Sequence, residues 1–355
     1  MTLPHPQLTP EEVSLLFSLV AIKSPSGQEQ EAVSYLTSYL AARKWQTKID
    51  QAGNAVAEIG SGPATLLFLG HIDTVPGHVP VRIDGDLLYG RGAVDAKGAI
   101  AAFASAAERI KSQLAYKIVL IAAVGEETPY SPGAHYIVDR YQPDFCIIGE
   151  PSSWSAVTLG YKGSLGLTVS ARQPAGHSAG PGDSAPEKTI AYWQQIQSFC
   201  NHYNAGRSGF AQLDTTLQST TNTDDHWWPE SQIQLSFRLP VDLTPDELKA
   251  QLQNLASPDL NLSFTPGLPA FKAEKNTPLT RAFLAAIRSL GGKPSFKLKS
   301  GTADMNIVGP AWNVPILAYG PGDSSLDHTP FEHLSLSEYA RSIAVLTQVL
   351  LKTPE

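Results

Sequence analysis

The stretch "LFLGHIDTVPG" (67–77) is apolar through Leu69, then meets Gly70, His71, Asp73 and the turn residues Pro76 and Gly77. A short apolar run closed by Gly and Pro reads as a buried strand. Its tip carries an imidazole and a carboxylate, groups that lose hydration when buried. Taken alone, this is a strand entering a polar loop. Its meaning depends on whether other strands end the same way.

They do. "KIVLIAAVG" (117–125) leads into Glu126 and Glu127, and "DFCIIGE" (144–150) ends on Glu150. "VPILAYG" (314–320) leads into "PGDSSLDHTP", which carries Asp327 and His328. "GRGAVDAKG" (90–98) sets Asp95 in a Gly-rich loop before the Ala-rich helical run "GAIAAFASAAERI" (98–110). Strands alternating with helices predict an α/β fold with a mostly parallel, doubly wound sheet. Such a sheet presents functional groups at the carboxyl ends of its strands.

Around this pattern the chain has 355 residues, more than one core usually serves, so two domains are expected. Thr9, Pro10 and Glu12 form a capping-box start for a first helix. The pattern changes near residue 160. A half-exposed strand (163–172), a helix (185–201), a polar loop "LQSTTNTDDHWWPES" (217–231), a strand (233–239), a helix from Thr244 and a strand (260–266) follow. Two helices on one face of an antiparallel sheet form a ferredoxin-like α+β sandwich. The expected organisation is a discontinuous catalytic domain, 1–160 and 268–355, interrupted by a lid domain at 161–267. A helix at 278–290, the strand "VPILAYG" and a closing helix complete the first domain.

Composition is that of a soluble globular protein, with 42% hydrophobic and 17% charged residues. A formal net charge of −7 argues against nucleic-acid binding. Cys146 and Cys200 are too few for a disulfide framework or a cysteine zinc site, which fits a reducing cytoplasm. The start "MTLPHPQLTPEEV" lacks the basic and apolar regions of a signal peptide, and no apolar run is long enough to span a membrane.

Each strand-end group has an ordinary explanation. Asp95 could cap a helix, Glu126 and Glu127 could line a solvated loop, and His328 could sit in a surface turn. Together they are harder to dismiss, because carboxylates crowded at one sheet edge repel unless a cation lies among them. Two His with several carboxylates suit zinc, cobalt or manganese. The count fits two metals sharing Asp95, with His71 and Glu150 on one and Glu127 and His328 on the other. Asp73, two residues after His71, is placed to accept its other ring N–H. Glu126 is left over, as a general base beside an activated water must be.

The set "GHIDTVPG", "GRGAVDAKG", "GEE", "GEPS" and a late "HTP" resembles the di-zinc peptidases related to aminoacylase, acetylornithine deacetylase and succinyl-diaminopimelate desuccinylase. The resemblance covers nearly the whole chain. It implies that the insert is also a dimerisation domain. It further implies that His177, in "AGHSAGPG", polarises the scissile carbonyl in the partner subunit's site. By the same resemblance Arg238, in "SFRLP", holds the product α-carboxylate, and Asn222 assists from the partner lid. "SGTADMN" (300–306) would line the site through Gly301 and Thr302 at a helix start, where backbone N–H groups suit a carboxylate.

Within the family, "VTLGYKGSLG", "KSGTADMNIVGPAW" and "YGPGDSSLDHTPFEH" resemble the hydrolases that free lysine, or ornithine, from the glutamate side chain of an acidic amino-group carrier protein. This implies a role in lysine or arginine biosynthesis. Seven basic residues (Lys272, Lys275, Arg281, Arg288, Lys293, Lys297, Lys299) against Glu274 alone would steer such a carrier, or simply form a solvated helix face. The rivals are acetylornithine deacetylase or succinyl-diaminopimelate desuccinylase, a small peptidase of the same chemistry, and a non-catalytic carrier-binding protein.

Overall fold

A computed structural model describes residues 6–177, 180–224 and 226–352, so part of the "AGHSAGPG" motif, Asp225 of the polar stretch and the first five residues lie outside it. The chain forms two compact units. One holds the residues up to Gly160, Ala273–Leu298 and those from Ala303 onward, and the other holds Tyr161–Lys272 and Lys299–Thr302.

The first unit is built on a mixed sheet whose central strands run parallel. Lys117–Ala123, Thr65–His71, Phe145–Gly149 and Ile316–Ala318 lie side by side in that order. Antiparallel strands flank them: Ala55–Ile59 and Gln46–Ile49 at one side, and Ala156–Tyr161 at the other. Thr65–His71 is buried from Leu66 onward. Its alternate residues point to opposite faces. Leu66 and Phe68 join a cluster with helices Pro10–Ala21, Lys97–Ile110 and Leu336–Lys352, while Leu67 and Leu69 are buried as completely. The near-continuous apolar strands are therefore those of a sheet covered on both sides.

Helix Lys97–Ile110 is buried along almost its whole length. Its alanines let it lie close to the sheet, and Phe103 stacks on Phe68 at 4.2 Å between ring centroids. Burying a Phe contributes roughly 1.5–3 kcal/mol. Gly149, opposite Gly70 in the register, keeps that space open, because a Cβ there would press on the Phe68 ring and on Gly70 Cα. Asp86 fastens the last helix, accepting the Ser335 hydroxyl at 2.6 Å and the Ser337 N–H at 2.9 Å. A small sheet of Arg82–Asp84, Leu87–Tyr89 and His333–Ser335 was not anticipated.

The second unit is a four-stranded antiparallel sheet in the order Asp214–Thr223, Glu230–Leu239, Gly163–Arg172, Leu260–Phe264. Helices Ala185–Tyr203 and Pro245–Leu255 supply Tyr192, Ile196, Cys200, Leu248 and Leu252 to its core. The expected polar loop needs correction: most of its first half, through Thr223, is the edge strand Asp214–Thr223. That strand is exposed on nearly all positions, so it lacks the apolar alternation that marks a strand, while its β-branched threonines favour extended backbone.

Among the described residues, no helix is long and apolar enough to cross a membrane. Both cysteines are free and buried.

Candidate active site

Parallel pairing brings the ends of three strands to one edge of the first unit. His71 closes Thr65–His71, Glu126 and Glu127 follow Lys117–Ala123, and Glu150 follows Phe145–Gly149. Asp95 precedes helix Lys97–Ile110, and His328 lies in the turn beyond Ile316–Ala318 with φ +63°, a left-handed conformation uncommon for a side-chain-bearing residue.

The two oxygens of Asp95 face different histidines. Oδ1 lies 3.0 Å from His71 Nε2, and Oδ2 lies 3.2 Å from His328 Nε2. Beyond them, His71 Nε2 is 3.7 Å from Glu150 Oε1, and His328 Nε2 is 3.1 Å from Glu127 Oε1. The cluster thus has two halves joined through one carboxylate, built from residues as far apart in sequence as His71 and His328.

Asp73 is fully buried and faces both the His71 ring and the neighbouring loop. His71 Nδ1 is 3.0 Å from the Asp73 backbone oxygen and 3.5 Å from its Oδ1. The carboxylate also accepts the backbone N–H of Glu126 at 3.1 Å, that of Glu127 at 3.0 Å and the Ser26 hydroxyl at 2.7 Å. Asp73 therefore sets the direction of the Glu126–Glu127 loop as well as of the His71 ring.

The electrostatics show a site short of positive charge. Burial works against a charged His71, yet its contacts with Asp73 and Asp95 and the nearby Glu126 hold its pKa well above the ordinary value. Contacts with Asp95 and Glu127 push His328 up to about 10. Asp95, although buried, is held low by His328 and His71. Burial, then the charges of Glu150, Asp304 and Glu127, raises the Glu126 carboxyl well above its usual range, against the pull of His71. These contacts favour the protonated form of both imidazoles beside the carboxylates. A divalent cation meets the same demand while leaving the imidazoles neutral, and the nitrogen and oxygen donors suit one. His71, Asp95 and Glu127 each offer a ligand atom within 4.8 Å of the others. The residues fit a metal centre.

Two buried carboxylates near this cluster were not singled out in the sequence. Asp304 lies in "SGTADMN", two residues after Thr302. Among the described residues its Oδ1 has no hydrogen-bond partner, and burial raises its pKa to about 7. Glu332, beyond "DHTP", reaches the backbone of the Asp95 loop.

The remaining candidates belong to the second unit. His177 is exposed in a loop, and Asn222 is exposed on the edge strand. Arg238, on Glu230–Leu239, places Nη1 3.5 Å from the Thr302 hydroxyl. Gly301 and Thr302 do not start a helix. The helix is Met305–Trp312, and the Asn306 side chain accepts the Ala303 N–H at 3.0 Å, fixing the loop one turn earlier.

With this geometry in hand, the profile of the peptidase family M20/M25/M40 matches residues 67–352. The chain belongs to that family. A family member named LysW-lysine hydrolase, from Deinococcus radiodurans, is 42% identical over 95% of this chain and 96% of its own length. A putative LysW-lysine/LysW-ornithine hydrolase from Pyrococcus abyssi is 38% identical over 96% of this chain and 94% of its own. In fold, the chain is similar to the aminopeptidase PepT from Bacillus cereus. The TM-score is 0.78 over 97% of this chain and 98% of the other, at 17% identity.

Proposed function

We propose that this M20/M25/M40 hydrolase uses two divalent metal ions to release lysine, or ornithine, from the γ-glutamyl amide of LysW, taken as an acidic amino-group carrier protein. The chemistry rests on one observation: the Asp95 carboxylate turns its two oxygens toward two histidines that each have a further carboxylate beside them. The substrate rests on the names of relatives that match almost end to end.

His71, Glu150 and Asp95 would hold one ion, and Asp95, Glu127 and His328 the other. Zinc fits these donors, and cobalt accepts the same set. When bound, the ions supply the positive charge that lowers the pKa of water toward neutrality and polarises the scissile carbonyl. Glu126, whose carboxyl is already made more basic by burial and neighbouring carboxylates, takes the proton of the attacking water. It then delivers that proton to the leaving α-nitrogen, and free amino acid departs. Asp73 keeps Glu126 in place through its backbone N–H and orients His71.

His177 is assigned the stabilisation of the developing oxyanion from the facing subunit of a homodimer. Arg238, with Asn222, Gly301 and Thr302, is assigned the substrate carboxylate. This reading makes Tyr161–Lys272 a lid and dimerisation domain, and sets the enzyme in cytoplasmic lysine or arginine biosynthesis.

The test compares substrates side by side. Metal-loaded protein should release lysine from carrier-linked lysine far faster than it deacetylates acetylornithine. The reverse preference would reassign the protein to free acyl-amino acids, and no amidase activity with metal present would leave only carrier binding.

A further inference from the structure

Glu332 is fully buried, and all its described partners lie on one short segment. Oε1 accepts the Val94 N–H at 3.0 Å and the Asp95 N–H at 3.2 Å. Oε2 accepts Arg91 Nη1 at 2.7 Å. Its backbone oxygen accepts the Gly90 N–H at 3.2 Å. A carboxylate is stable in the interior only when satisfied in this way.

The segment it grips needs such a clamp. Gly92 has φ +84°, a left-handed backbone, and a Cβ there would meet Thr74 Cγ2 at 2.8 Å. The loop therefore passes close to its neighbours without a side chain at Gly92 to fix it. Four residues before Glu332, His328 faces the Asp95 carboxylate with Nε2 3.2 Å from Oδ2. One turn of chain, His328–Glu332, thus holds Asp95 by its carboxylate at one end and by its peptide N–H at the other.

We propose that Glu332, paired with Arg91, is a positioning residue of the metal centre: it fixes the Val94–Asp95 backbone so that the Asp95 carboxylate lies between the two metal subsites. The inference rests on the two-metal reading given above. Ligands whose supporting hydrogen bonds are removed typically bind metal about 10- to 100-fold more weakly. Glu332→Gln keeps the shape and loses the charge, and should show a loss of that size.

The experiment titrates metal-free protein with Co2+, followed by calorimetry and by the visible absorption of bound cobalt. The native chain should take two ions. Glu332→Gln should bind at least one of them about tenfold or more weakly, with an altered cobalt spectrum. The double variant Arg91→Met/Glu332→Gln leaves no unpaired charge, so it should regain metal-free melting temperature without regaining cobalt affinity. Native affinity and spectrum in Glu332→Gln, or in the double variant if the single one does not fold, would overturn the proposal. So would recovery of affinity together with stability, since Glu332 would then be a structural staple only. A native chain that does not take two ions would remove the two-metal reading itself, and this inference with it.

Discussion

The proposed roles of Glu126 and Asp73 at the site can be separated by mutation. Glu126→Ala should keep the metals and lower kcat by about 10²–10⁴-fold, the usual worth of a positioned acid–base group. Metal content by mass spectrometry beside turnover measures both, and full activity would remove Glu126 from the reaction. Asp73→Asn acts one step back. The amide accepts through only one oxygen where the carboxylate accepts the Glu126 and Glu127 N–H groups and the Ser26 hydroxyl with two. Metal affinity should fall about 10- to 100-fold. Unchanged affinity in a titration would mean that backbone contacts alone hold the His71 ring. The clustering of His71, Glu127 and Glu150 was legible because each is a polar group at the end of an apolar run, that of His328 because it lies in the turn after one, and that of Asp95 because a Gly-rich loop sets it before a helix. Glu332 was not legible, because its partners are backbone N–H groups and one arginine on a segment some 237 residues away in sequence. No residue type announces such a partner.

At the level of elements, the closing helix offers a pH test. Burial alone would raise the Asp86 carboxyl, but the Ser335 and Ser337 hydroxyls and the Ser337 N–H outweigh it and lower its pKa. A depressed folded-state value means the capping contribution is present in full above the unfolded value near pH 4 and is lost as pH falls through the folded one. Asp86→Asn should cost roughly 0.5–1 kcal/mol near neutrality, a modest cap for an exposed group. The difference in melting temperature from the native chain should close below about pH 4, and a difference independent of pH would contradict the assignment. Gly149→Ala probes the sheet, because the added methyl must displace the Phe68 ring stacked on Phe103. Denaturant unfolding should show a loss of about 1–3 kcal/mol. The buried strands were readable as continuous apolar runs bounded by Gly and Pro. The edge strand Asp214–Thr223 was not, since period-two alternation exists only where one face is buried.

Across the whole molecule, the proposed activity needs metal held by distant residues and a site shared between subunits. Mixing a Glu126→Ala chain with a His177→Ala chain should restore up to about a quarter of native activity, since half the dimers would be mixed and each would carry one intact site. Inactive mixtures would argue that His177 serves its own subunit, and an active His177→Ala chain by itself would argue that it serves neither. Anomalous X-ray scattering from crystals grown with Zn2+ locates the ions themselves. A two-metal centre gives two peaks about 3.5–4 Å apart, one touched by His71 and Glu150, the other by Glu127 and His328, with Asp95 reaching both. One peak, or peaks away from these five side chains, would contradict it.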